Sequence, residues 1–166
     1  MDIEFYTESV EQVNILAVGV FSFQDHPFKG DTASSLPSIT KEQLVQLKNS
    51  GEITGKPFEL TLLHKPQGLS ADRLLIVGAG KKKNFDIILA RKLAGTASRY
   101  LRKRGINEFA WLVEQESEIV PSFQLATEGI FLANFDVGSY QTEVNNASSR
   151  DISRVLLLPT PDIRKD

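Results

Sequence analysis

This chain should fold as an α/β domain, with a mixed, largely parallel sheet flanked by helices on both faces. Three observations predict it. Leu74 to Val77 form a fully apolar run closed by Gly78-Ala79-Gly80, the mark of a strand buried on both faces. A long amphipathic stretch follows, with Phe85, Ile88, Leu89, Leu93, Ala97, Tyr100 and Leu101 at helical spacing, Asn84 as its N-cap and Gly105 at its far end. Strand-like and helix-like segments then alternate along the chain in the order ββαββαβαβ, so crossover helices join mostly parallel neighbours. At 166 residues the chain suits one domain with one core. Residues 1–166 are therefore read as a single unit, with 159–166 as a linker or tail.

Each element has its own signal. Ile3 and Phe5 alternate with charged residues, as a first strand with one buried face would. Ile15 to Phe21 is nearly continuous apolar and reads as a more central strand. Ser22 to Ser38, punctuated by Pro27, Gly30 and Pro37, reads as a long loop, and loops of that length are often functional. Thr40 and Gln43 have the spacing of a capping box, Ile39 and Leu44 that of a hydrophobic staple, and Gly51 is a helix stop. Phe58 to Leu63 is the third strand, and Pro66 and Gly68 turn the chain into the central unit. Phe109 to Val113 is a buried strand, followed by an acidic run from Glu114 to Glu118. Pro121 opens a third helix that brings Phe123, Ala126, Thr127 and Ile130 onto one face. Tyr140 to Arg150 is a loose polar connection, Val155 to Leu158 is the last strand, and Pro159 and Pro161 end it.

Composition excludes several classes. There is no cysteine, hence no disulfide framework and no thiolate metal site. No run of eighteen apolar residues is present to span a membrane. The acidic start, MDIEFYTESV, lacks the basic and apolar pattern of a secretory signal, and a cytoplasmic location is expected. Charge is unevenly spread. Lys81 to Arg104 holds nine Lys and Arg against one acid, whereas the rest holds ten basic and twenty acidic side chains. Such a basic element can be an anion-binding face, a seam to an acidic partner, or a solvated helix face whose cations suit the negative C-terminal end of the helix dipole.

Few residues carry chemistry by pattern. The turn at Gly78, Gly80 and Lys81 precedes a helix and could hold an anion on its amides, helped by Lys82 and Lys83. It is not a dinucleotide fingerprint, because Lys83 stands where the third glycine belongs, and no P-loop spacing occurs. His26 and His64 lie in no metal-ligand spacing. There is no G-x-S-x-G elbow. Glu114, Glu116 and Glu118 read as a solvated loop, and nothing forces Glu128 and Asp136 together. No catalytic residue and no metal ligand is assigned. DNA binding through Arg99, Arg102 and Arg104 is the thinnest of the binding possibilities, since the chain is acidic overall and carries no recognised motif.

Four stretches, SGEITGKPFE (50–59), RLLIVGAGK (73–81), RKLAGTASRYLRKRG (91–105) and TEG (127–129), together resemble the N-terminal domain of the leucyl (cytosol) aminopeptidase family. One departure is visible: a Tyr-x-Phe-Asp-x-Tyr-like run is usual after the family's Glu-Gly, and here Ala133-Asn134-Phe135-Asp136 is followed only later by Tyr140. The resemblance implies a fold similar to macro domains. It also implies that two divalent metals and the catalytic residues reside in a separate C-terminal domain, whose Asn-Thr-Asp-Ala-Glu-Gly-Arg motif is absent here. On that basis this chain is not itself an enzyme and has no cofactor. It is expected to be an assembly or regulatory domain whose partners are the aminopeptidase catalytic domain, further copies of itself, or both. The alternative is a free-standing macro-like module that binds a phosphate or nucleotide.

Overall fold

A computed structural model describes residues 1–114, 122–135 and 151–161. Its strands are β1 (Asp2–Phe5), β2 (Val18–Ser22), β3 (Leu60–His64), β4 (Arg73–Gly78), β5 (Glu108–Val113) and β6 (Arg154–Pro159). They form one sheet in the order β1-β6-β5-β2-β4-β3. Neighbours are parallel except at one edge, where β3 runs antiparallel to β4. The α/β class and the mixed, largely parallel sheet are as the sequence predicts.

Helices cover both faces, which is why the inner strands are apolar throughout. α2 (Ile87–Lys103) and α3 (Ser122–Asn134) pack on one face, over Phe21, Leu75, Val77, Phe109, Trp111 and Leu157. α1 (Ser38–Asn49) puts Leu44 against the other, among Val20, Leu74, Ile76 and Leu156. Successive strand residues thus enter opposite halves of the core, as the two-residue period requires. α2 and α3 meet backbone to backbone. A methyl group on Gly129 would sit 2.1 Å from the Arg91 carbonyl oxygen, so only glycine permits this approach.

The boundaries differ from the sequence reading where tertiary bonds win. α1 begins at Ser38 behind Pro37, which places Thr40 inside the first turn. Its hydroxyl donates instead to the Gln67 carbonyl at 2.5 Å, and Gln43 Oε1 accepts from the Gln67 amide at 3.3 Å. The capping box is therefore not made, and Ile39 is 48% exposed, so neither is the staple. α2 is capped by Asp86, whose Oδ1 accepts from the Leu89 amide at 2.8 Å; Asn84 lies in the preceding 3-10 turn, Lys82–Asn84. With that shift Ile88 faces solvent. β3 starts at Leu60 because Phe58 holds φ 62°, outside any strand. The last strand extends through Pro159, and Thr160 beyond it is buried and donates to the Val113 carbonyl at 2.8 Å. Order thus continues past the point where a tail was expected. The acidic residues Glu116 and Glu118, Pro121, Asp136, the 140–150 connection and 162–166 lie outside the described residues.

Candidate functional site

Two regions at the carboxyl edge of the parallel strands are candidates, and they are built differently. The first is the glycine bend after β4. Its amides are bonded within the fold: Gly78 donates to Glu59, Ala79 to Ser22 and Gly80 to Gly55, each at 2.8–2.9 Å. The segment Thr54 to Glu59 lies so close that a Cβ on Gly78 would stand 1.9 Å from the Lys56 carbonyl oxygen. That segment is itself tied by the Glu59 carboxylate, which accepts from the Thr54 hydroxyl and from the Thr54 and Gly55 amides at 2.7 and 3.1 Å. Burial pushes the Glu59 carboxyl up, but these donors outweigh it and hold the group below the ordinary glutamate value. The Lys82 amide goes to Asp25 Oδ1 at 3.0 Å and holds that carboxyl low as well. Gly78, Gly80 and Lys81 form this bend, and a carboxylate of the chain, Asp25, already takes the Lys82 amide beside it. Lys81, Lys82 and Lys83 are exposed.

The second region lies between β2 and β5. β5 and β6 pair over six registers, whereas β2 and β5 pair only at Val18 with Ala110 and Gly19 with Trp111. Beyond Gly19 the Thr32 hydroxyl replaces β5: it accepts from the Phe21 amide at 2.8 Å and donates to the Phe21 carbonyl at 3.4 Å. Next to it the fully buried Asp31 carboxylate accepts from the Ser22 hydroxyl and from the amides of Phe23, Phe28 and Ser34, at 3.0–3.1 Å. Burial pushes the Asp31 carboxyl up, and the four donors only partly offset that. This pair satisfies the edge of β2 that β5 would otherwise occupy. Nothing in the sequence singled it out, because an Asp-Thr in a polar loop has no spacing that marks it as buried.

Where the strands part, a cleft of about 250 Å³ opens. Phe21, Phe85, Trp111, Leu125 and Ala126 are among its walls, and Asp86, Glu114 and Ser122 contribute its polar groups. Phe85 stacks on Phe21 at 5.1 Å between centroids and meets Phe23 edge-on at 5.4 Å. A crevice beyond the carboxyl ends of parallel strands, where the order of connection reverses, is where α/β sheets commonly take ligands.

The other sequence candidates are scattered. Arg99 is exposed, the Arg102 guanidinium donates to the Asn134 carbonyl at 3.4 Å, and the Arg104 guanidinium lies 4.6 Å from the Tyr100 ring centroid. Two of these three cations are therefore engaged within the chain. His26 and His64 are exposed, and among the described residues no three His, Cys, Asp or Glu side chains converge as a metal site. Glu128 is a half-exposed surface group, 3.7 Å from Arg91. No helix among the described residues is long and apolar enough to cross a membrane.

Comparison with known proteins agrees with this architecture. A probable cytosol aminopeptidase of Solibacter usitatus is 39% identical over 93 residues, which are 56% of this chain and 19% of that protein. The chain spans about a fifth of the length of the curated relatives it matches. Among solved structures, a mutant of tomato leucine aminopeptidase superposes with a TM-score of 0.66 at 15% identity, over 99% of this chain and 34% of that one. A Trypanosoma brucei macrodomain in complex with ADP-ribose superposes with a TM-score of 0.61 at 12% identity, over 98% of this chain and 66% of that one. At such identities these two show the fold, which is macrodomain-like. The model of the cytosol aminopeptidase family, N-terminal domain, matches residues 17–144, and the chain belongs to that family.

Proposed function

We propose that this chain is the non-catalytic assembly or regulatory domain of a cytoplasmic, metal-dependent aminopeptidase. The observation that carries the reading is the match of 17–144 to the family's N-terminal domain, set beside relatives of which the matched stretch covers only 19% and 22%. The surface supports it. The last turns of α3 leave Phe131, Leu132 and Phe135 53%, 66% and 73% exposed, and Phe5 of the edge strand β1 is 69% exposed. Apolar side chains gathered on one helix end fit a face that a neighbouring domain or copy covers. The metals and the reacting groups belong to that neighbouring domain, and no step of hydrolysis is assigned to residues of this chain. The purified chain should not hydrolyse leucyl-anilide with manganese or zinc added; robust metal-dependent turnover would refute the reading. Light scattering, with and without a cytosol aminopeptidase catalytic region, tests assembly. Complex formation should be lost in Leu132→Asp and Phe135→Asp.

A second reading, a macro-like module for a phosphate or nucleotide, is supported by the likeness to a macrodomain in complex with ADP-ribose. Its site would be the Gly78–Lys83 bend. Calorimetry with ADP-ribose decides it, and a flat titration at millimolar ligand ends it.

A further inference from the structure

We propose, on the reading that a neighbour covers the exposed end of α3, that the outer face of the α2–α3 layer docks an acidic amphipathic helix of that neighbour, apolar along one side and carrying carboxylates beside it. Charge on this layer is one-sided. α2 and its C-cap carry Arg91, Lys92, Arg99, Arg102, Lys103 and Arg104 and no acid, and α3 carries one acid, Glu128, spent on Arg91. Lys92, Arg99 and Lys103 are exposed and take part in none of the ion pairs among the described residues. Arg102 and Arg104 meet a carbonyl and a ring, which leaves their charge in place. The opposing term is the helix dipole: two C-termini amount to about one negative charge, less than these cations supply. Ile3 packs into the core half beneath these helices, so Asp2 and Glu4 point to the other face of the sheet, where Glu4 meets Arg154. The field of the layer is therefore positive.

Basic and apolar rows run side by side on it. Lys92, Arg99 and Lys103 share one side of α2, opposite the buried Leu93, Ala97 and Leu101. Phe131, Leu132 and Phe135 occupy the solvent side of the last turns of α3. Asn134 ties the rows together: its Nδ2 donates to Ser98 Oγ at 2.7 Å, and its carbonyl accepts from Arg102 at 3.4 Å. Two such rows match those of an amphipathic helix, with its apolar row on α3 and its carboxylates on α2. A second copy is a poor match, since an isologous contact would set this basic face against itself. Duplex DNA would meet the cations but leave Leu132 and the phenylalanines uncovered. An anionic leaflet needs cations and apolar groups but no register between them.

Three fluorescein-labelled helical peptides of about 18 residues separate these terms. One combines leucine with glutamate, one leucine with lysine, and one glutamate with alanine in place of leucine. Titrated with the chain at constant ionic strength, the Leu–Glu peptide should gain anisotropy with a Kd of about 100 μM, and the other two should bind at least about tenfold more weakly. Raising salt from about 50 to about 500 mM should weaken the Leu–Glu peptide about fivefold. Lys92→Glu, Arg99→Glu and Lys103→Glu together should reverse the preference towards the Leu–Lys peptide, with circular dichroism unchanged because all three positions are exposed. Leu132→Asp should weaken the Leu–Glu peptide about tenfold. Equal affinity for the two leucine peptides, or no saturable binding by about 1 mM chain, would overturn the proposal. So would tighter binding of duplex DNA or of phosphatidylglycerol vesicles, or dimerisation of the chain alone that Leu132→Asp abolishes. Failure of the peptides while the light-scattering complex forms overturns the acidic partner alone. The reverse outcome refutes assembly with the catalytic region and supports the preference for acid.

Discussion

The glycine bend and the neighbouring cleft lie at the same edge of the sheet and differ in whether their backbone is closed. At the bend, the amides of Gly78, Ala79 and Gly80 meet carbonyls of the fold, and Asp25 takes the Lys82 amide. At the cleft, β2 leaves β5 after two registers, and a side chain, Thr32, satisfies the backbone of Phe21 in place of a strand. A glycine-rich turn before a helix is therefore not by itself an anion site; what matters is where its N–H groups already point. Conversely, a strand whose edge is met by a short side chain leaves space that a paired strand would fill.

The substitutions that test this contrast fall in order of size. Gly78→Ala should be the most damaging, because its methyl group would meet backbone at 1.9 Å; a loss of about 3 kcal/mol is expected in urea titration. A wild-type midpoint in that variant would mean that the bend is looser than its bonds imply. Asp31→Ala strands three amides and a hydroxyl and should cost about 2–3 kcal/mol at pH 7. Because burial raises the Asp31 carboxyl, its contribution is greatest below the ordinary aspartate value and falls as pH rises through the raised one. The gap to wild type should therefore widen from pH 7 to pH 4.

Thr32→Val leaves both backbone groups of Phe21 without a partner and should cost about 1–2 kcal/mol. Hydrogen exchange gives the sharper readout: the Phe21 amide should lose protection while the β5–β6 amides keep theirs. Glu59→Gln is smaller, about 1 kcal/mol at pH 7, and has the opposite pH sign. The Glu59 carboxyl is lowered in the fold, so its contribution is present above the ordinary glutamate value and lost as pH falls through the lowered one. That gap should close toward pH 3. Lys81→Ala, at an exposed position of the bend, should leave the urea midpoint within error.

Much of the sheet was legible because its signals are local. The apolar run Leu74 to Val77 has no polar face to offer water, so it had to be an inner strand, and Gly51 and Gly105 end their helices at φ 83° and 75°. Caps were less legible. Thr40 has the right side chain at the right spacing, yet Gln67, far along the chain, accepts its hydrogen bond. Asn84 and Asp86 are both good caps two residues apart, and the 3-10 turn at Lys82–Asn84 chooses the second. Of the candidate site, the sequence supplied the glycine bend but not the cleft, whose walls come from β2, β5, α2 and α3.

By itself the sequence determined the class of the protein: an α/β layer order, a family carried by a few stretches, and an uneven charge with one basic helix. Those properties follow from periodicity and composition, which neighbouring residues encode. Tertiary structure alone decided which backbone groups remain open. Hydrogen bonds such as those from Gly80 to Gly55 and from Phe21 to Thr32 join segments that meet only after folding. A donor's availability is therefore a property of the packed molecule, and the difference between a closed bend and an open cleft could not be read before the strands were in place.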